Sequence, residues 1–235
     1  RTVTRPSFIE MAPFLYQESY GSAQIRGNAD LKNGYNYNLD LRYEFFGENG
    51  DMFSATAYYK HLEDPIEQIQ QLSGGATIHS FQNANNGMAA GLGVEFRKEL
   101  IRDLRLGANA SFMYTDVKLP EGGASPYLVN ADITYTPRLD DVKQLSAALV
   151  YNLQGPRIQS VGISGLGDVK QQPVHTMNFV SSFKFNEKVS LKLQINDLLN
   201  QPVIFKQEVP STGEKVEVER FKRGSSFEIG VTYNL

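Results

Sequence analysis

Tyr35-Asn36-Tyr37-Asn38-Leu39-Asp40-Leu41-Arg42-Tyr43-Glu44-Phe45 decides the fold. Every odd position is apolar or aromatic, and every even one is polar or charged. Only an extended strand sends neighbouring residues to opposite faces in this way. The same period of two recurs at Phe53–Lys60, Met88–Arg97, Leu104–Thr115, Tyr127–Tyr135 and Leu145–Leu153. It returns at Met177–Phe185, Val189–Ile195 and Phe227–Leu235. These make nine strands, with a stub around Thr2–Thr4. Phe96–Leu104 is the nearest approach to an amphipathic helix, and it is short.

The connections alternate too. Short polar turns are expected at Gly47–Asp51, Lys98–Asp103, Pro137–Val142 and Asn186–Lys188. Longer loops lie at Arg5–Lys32, Leu62–His79, Leu119–Ser125, Gly155–Gln172 and Asn200–Glu214. Long loops at one end and tight turns at the other are the asymmetry of an outer-membrane β-barrel. A soluble sandwich or lipocalin-like barrel has no reason to keep that parity.

Aromatic positions point the same way. Phe45, Phe96, Tyr135, Phe185 and Tyr233 fall at the short-turn ends of their strands, while Tyr35, Tyr59, Tyr114, Tyr127 and Tyr151 fall at the other. Two such rings mark the edges of a bilayer. From Tyr35 to Phe45 a strand rises roughly 33 Å, which a tilt of about 40° reduces to roughly 25 Å. That is the height of an outer-membrane apolar band. Leu41, Leu106 and Leu149 are therefore expected to touch lipid, and Asp40, Asn109 and Asn152 to face the lumen.

Bulk composition is compatible with this reading and narrows the rest. The chain is 41% hydrophobic with a mean hydropathy of −0.35, and it has no apolar run long enough for a membrane helix. Barrel strands need an apolar residue only at alternate positions, so the average stays polar. A net charge of −3 argues against a nucleic-acid partner. Cysteine is absent, which excludes disulfides and thiolate metal sites. Arg1-Thr2-Val3-Thr4-Arg5-Pro6 lacks the apolar core of a signal peptide, so the chain is expected to begin inside a longer one.

Catalytic motifs fail on inspection. Gly162-Ile163-Ser164-Gly165 lacks the final glycine of a nucleophile elbow and reads as an external loop. Gly91-Leu92-Gly93 lies in a strand and is not a dinucleotide fingerprint; its glycines let the lumen face approach other backbone. His61 and His79 flank a loop with Glu63, Asp64 and Glu67, where solvated loop residues outweigh a metal contact. Glu214–Arg223 reads as a solvated extension of long strands. No residue set supports acid–base or nucleophilic catalysis, and none asks for a cofactor.

Three stretches resemble TonB-dependent outer-membrane receptors. Thr4-Arg5-Pro6-Ser7-Phe8 followed by Gly27-Asn28-Ala29-Asp30-Leu31 resembles the family's Arg-Pro…Gly-Asn-Pro-x-Leu passage, with Ala29 for the usual proline. Asn196-Asp197-Leu198-Leu199-Asn200 resembles the Asn-Leu-Phe-Asn segment that ends the penultimate strand. Glu228, Gly230, Tyr233 and Leu235 fit the C-terminal assembly signal, with Leu235 in place of phenylalanine.

The resemblance implies an all-β, antiparallel transmembrane β-barrel of which residues 1–235 are the C-terminal part, about nine strands of roughly 22. It implies a plug domain that is absent from this chain. It places the protein in the bacterial outer membrane, surrounded by lipid and inserted by the barrel assembly machinery. The function implied is energy-coupled uptake of a scarce or bulky solute (siderophore, haem, glycan or peptide) through a TonB complex that contacts the missing N-terminal part. A passive channel or a structural barrel is the alternative. No substrate-contacting residue carries over.

Overall fold

The computed structural model describes residues 1–17, 24–73, 76–116, 125–140, 143–160 and 167–234. In chain order, β1 (Thr2–Thr4) leads to a single helical turn, α1 (Phe8–Met11), then β2 (Leu15–Gln17) and β3 (Gln24–Arg26). The long strand β4 (Gly34–Phe46) precedes β5 (Met52–Glu63), β6 (Ile66–Ser73) and β7 (Ala76–Asn83). Next are β8 (Gly87–Ile101), β9 (Leu104–Thr115), β10 (Tyr127–Tyr135) and β11 (Gln144–Gln154). The chain continues with β12 (Arg157–Ser160), β13 (Val169–Gln171), β14 (Val174–Lys184) and β15 (Val189–Asn196). It closes with β16 (Val203–Val209), β17 (Glu214–Phe221) and β18 (Ser226–Tyr233).

Ten strands form one sheet in the order β1-β4-β5-β8-β9-β10-β11-β14-β15-β18. These are the nine alternating segments and the stub. The bounds of β9 and β10 coincide with those of the alternating segments, although Met113 and Leu128 interrupt the polar face near the long-loop ends. The turn expected at Lys98–Asp103 is shorter: β8 runs on to Ile101 and only Arg102 and Asp103 remain. Asp103 takes the left-handed conformation (φ 66°) that such a tight turn needs and that Asp tolerates. The extension is pinned by Asp51, whose carboxylate accepts from the Glu99 N–H at 2.9 Å and from Lys98 Nζ at 3.0 Å. First the Glu99 N–H and then the Lys98 ammonium hold the Asp51 carboxyl below its ordinary range.

By compactness the chain divides into two units, Arg1–Leu41 with Ala57–Gly91 and Met113–Gly123, and Arg42–Thr56 with Leu92–Phe112 and Ala124–Leu235. Each holds a four-stranded sheet where the sequence predicts loops. In the first unit the order is β2-β3-β7-β6, with β3 and β7 parallel. In the second it is β12-β13-β16-β17, over a small core of Val174, Val203 and Phe205. Glu214–Arg223, expected as an extension of long strands, is mostly β17, an edge strand of this separate sheet with every residue exposed.

The Gly-Asn passage explains how the first unit's sheet is held. Ser7 and Glu10 form a capping box on α1, with Glu10 N–H donating to Ser7 Oγ at 3.3 Å and Ser7 N–H to Glu10 Oε2 at 2.6 Å. Gly27 lies so close to α1 that a Cβ there would sit 2.3 Å from the Ala12 carbonyl oxygen. Asn28 Nδ2 then donates to the Phe81 carbonyl at 2.9 Å. Asn83 completes the clasp, donating to the carbonyls of Lys32 (3.0 Å) and Asp64 (2.8 Å) and accepting from the Lys32 N–H (2.8 Å).

Asn83→Ala would leave two carbonyls and one N–H without these partners, at about 1 kcal/mol for each bond lost. Hydrogen exchange of the full-length protein is expected to quicken at least tenfold across 64–84, with 127–154 unchanged. Unchanged exchange at 64–84 would show that the clasp does not hold the hairpin.

Candidate functional site

The chemistry of the second unit lies in the two faces of its β9-β10-β11-β14-β15-β18 run. On one face, the registers align Leu106, Ile133, Leu149, Phe179, Ile195 and Phe227 in a single row across six strands. The adjacent row toward the short turns continues with Leu104, Tyr135, Ala147, Ser181, Leu193 and Ile229, apolar but for Ser181. Such a face is built for lipid. At its short-turn end Phe45, Phe96, Tyr135, Phe185 and Tyr233 are all exposed, as the girdle requires.

The opposite face is polar and hydrogen-bonded to itself. Asn109, Asn130, Asn152 and Thr176 share one row, with Asn130 Nδ2 donating to Asn109 Oδ1 at 2.7 Å and Asn152 Nδ2 to Thr176 Oγ1 at 3.4 Å. Asn109 and Asn152 therefore stand on the face opposite Leu106 and Leu149, as expected. In the next row Asp132 leans over Gly107: a Cβ at Gly107 would meet Asp132 Oδ1 at 2.4 Å. Thr134 Oγ1 donates to the other carboxylate oxygen at 3.2 Å. A cavity of about 400 Å³ opens here, lined by Arg97, Arg105, Asp132, Thr134 and Thr136 among others. This wall offers donors, acceptors and both signs of charge, which suits contact with polar matter in a lumen.

In the first unit the polar face continues the theme. Asn36 and Asn38 donate to Thr4 and Thr2 at 3.0 and 3.2 Å. Gly91 makes room for the ring of Tyr58, whose atoms would lie 2.4–2.5 Å from a Cβ there. The sequence reading expected backbone to approach this glycine; an aromatic ring does so instead. Gly93 has only the Thr56 carbonyl, at 4.0 Å.

Of the histidines, His61 packs its ring against Tyr37, and His175 Nδ1 lies 2.6 Å from Tyr151 Oη. Among the described residues no three His, Asp or Glu side chains come together to hold a metal. Burial pushes the Glu67 carboxyl up.

The remaining motif residues fall where the chain turns or ends. Asp197 and Asn200 adopt positive φ (51° and 43°), and Asn200 N–H closes the turn on the Asp197 carbonyl at 3.0 Å. Asp197 N–H donates to Asn178 Oδ1 at 2.9 Å, and Ser225 Oγ to the Asp197 carbonyl at 2.7 Å. The segment thus ends β15 and ties it to β14 and to the approach of β18. Along β18, Glu228 opposes Gln194, Gly230 opposes Lys192 and Tyr233 opposes Val189. Leu235 and Gly162-Ile163-Ser164-Gly165 lie outside the described residues.

Comparison with known proteins agrees with this geometry. The family model described as "Outer membrane protein beta-barrel family" matches residues 1–233. A comparison with curated proteins finds no match. Among solved structures, a ferric enterobactin receptor of Pseudomonas aeruginosa is similar at a TM-score of 0.69 and 17% identity, over 99% of this chain and 37% of that one. The siderophore receptor PirA of Acinetobacter baumannii gives 0.61 and 16%, over 90% and 33%. The copper transporter OprC gives 0.67 and 12%, over 98% and 35%. The chain therefore spans about a third of the length of these structures. Identities this low speak for the fold alone, which this chain shares with these proteins.

Proposed function

This chain belongs to the outer membrane protein β-barrel family, and on that premise we propose that it is the C-terminal wall of a receptor importing a solute across the bacterial outer membrane. The observation that carries the reading is the pairing of faces in one sheet. The row from Leu106 to Phe227 faces lipid, and behind it the row from Asn109 to Thr176 faces the lumen. A wall that is polar on one face, in a chain whose longer connections carry ordered sheets rather than bare loops, suits capture of a specific solute. We take the solute to be one too scarce or bulky for a porin, a siderophore, haem, glycan or peptide, and the siderophore receptors among the matched structures support the first of these. Uptake is coupled to TonB through a plug and an N-terminal segment that lie outside residues 1–235.

The test is uptake by cells carrying the full-length protein, offered labelled ferric catecholate, haem, oligosaccharide and oligopeptide in parallel. One of these is expected to enter at least tenfold faster than into cells lacking the protein, and removing TonB should abolish the gain. Entry that is unchanged without TonB would sink energy coupling and leave a passive channel.

A further inference from the structure

We propose that the sheet β12-β13-β16-β17 carries a binding site for a phosphate-type oxyanion, formed by Lys170, Lys206 and Lys215. Register brings these lysines together. Lys170 on β13 stands directly opposite Lys206 on β16, and Lys215 on β17 stands opposite Glu208, on the same face. All three line one cavity of about 310 Å³. Like charges placed directly opposite in a sheet repel, so this arrangement is unfavourable unless an anion lies between them.

The protein's own carboxylates relieve it only in part. Glu217 is the partner of Lys206 on the β17 side, but Arg220 holds it with two bonds, Nε at 2.6 Å and a second guanidinium nitrogen at 2.8 Å. That guanidinium, and to a lesser degree the charge of Lys206, keeps the Glu217 carboxyl below its ordinary range. Among the described residues, Lys170, Lys206 and Lys215 make no ion pair within 4.0 Å. Asp168 and Glu208 also line the cavity, so three ammonium groups face two carboxylates and the surplus is positive.

One wall is fixed rather than loose. Gly167 lies against β16, its N–H donating to the Glu208 carbonyl at 3.2 Å and its own carbonyl accepting from Gln207 Nε2 at 2.9 Å. A Cβ at Gly167 would sit 2.5 Å from the Glu208 carbonyl oxygen, so the close approach needs glycine. The volume is at the lower end of small-molecule sites, which run from about 300 to 1,000 Å³. It suits one multiply charged head group and not a whole bulky ligand. Such a group could come from a phosphorylated lipid head group or from a soluble phosphorylated solute; the chemistry the lysines recognise is the same.

This site stands apart from the lumen wall, so the uptake experiment can fail without touching it. The probe is inorganic pyrophosphate, titrated calorimetrically into the full-length protein in neutral detergent at low salt. One equivalent is expected to bind, more weakly as salt rises. Lys170→Gln combined with Lys206→Gln should weaken it at least tenfold, while Lys192→Gln on the lumen face should leave it unchanged. Heat-modifiable gel mobility confirms that each variant is folded.

The same titration in phosphatidylcholine discs, with and without phosphatidic acid, separates the two sources. Phosphatidic acid that blocks pyrophosphate assigns the site to a lipid head group; undisturbed binding assigns it to a soluble ligand. No binding by the wild-type protein, or equal binding by the double variant, overturns the proposal and leaves three solvated lysines.

Discussion

Leu149→Arg is expected to abolish assembly of the full-length protein, while Val150→Arg, one residue along, leaves it nearly intact. Leu149 lies midway along β11, flanked in its row by Ile133 and Phe179. A guanidinium there must enter the hydrocarbon at mid-depth, which costs about 2–4 kcal/mol and lowers the folding equilibrium roughly 30- to 1,000-fold. Val150 points to the other face, between Asp132 and Asn178. An arginine there meets a carboxylate across the strand and other polar groups. The measurement is the fraction refolded into lipid vesicles, read by heat-modifiable gel mobility. A milder paired test reacts Leu41→Cys and Asp40→Cys with a water-soluble thiol reagent, since there is no native cysteine to interfere. Equal losses in the two arginine variants would mean that the two faces do not differ in environment, and a larger loss for Val150→Arg, or ready labelling only at position 41, would mean that they are reversed.

The same contrast explains what could be read from the residues. A strand between lipid and lumen has two contrasting environments, so most lipid-facing positions are held to apolar residues and the period of two is legible. From Leu104 to Thr115 that pattern locates both ends of β9. The small external sheets meet water on much of their surface, and the force is gone. Ile66-Glu67-Gln68-Ile69 shows no alternation, yet it forms part of β6. In β16 and β17 a shift between Phe205 and Lys206 breaks the register, so Val216 and Val218 fall out of step with Phe221.

One signal was available: Ser7-Phe8-Ile9-Glu10 is a capping box, and it marks α1. The clasp at Asn83 and the lysine cavity could not be read in this way. Both depend on which distant segments pair, and a single strand's pattern carries no record of its neighbour.

The C-terminal strand poses a question that its own residues raise but its geometry does not answer. Phe227, Ile229, Val231 and Tyr233 are all strongly exposed, and they follow each other along the lipid-facing side of β18. Gly230 stands on the other side opposite Lys192, and a Cβ there would be 3.8 Å from the Lys192 Cβ, an ordinary contact. Among the described residues none packs closely enough to demand glycine at this position. Nor does packing demand an aromatic at Tyr233, beyond the girdle that Tyr135 also serves.

On the resemblance of Glu228, Gly230, Tyr233 and Leu235 to the C-terminal assembly signal, we propose that they act before folding, as the segment that the assembly machinery recognises. Loss of a girdle ring alone is worth little, because the interface is tolerant. In the full-length protein, Tyr233→Ala combined with Leu235→Ala is expected to lower the folded amount in isolated outer membranes at least fivefold. Tyr135→Ala, which removes a comparable ring from an internal strand, should lower it by less than half. Refolding the purified double variant into vesicles without any machinery separates the two effects, and there it should match the wild-type protein. If it failed equally in vesicles, or if Tyr135→Ala lost as much in cells, Tyr233 would be only one more residue of the girdle.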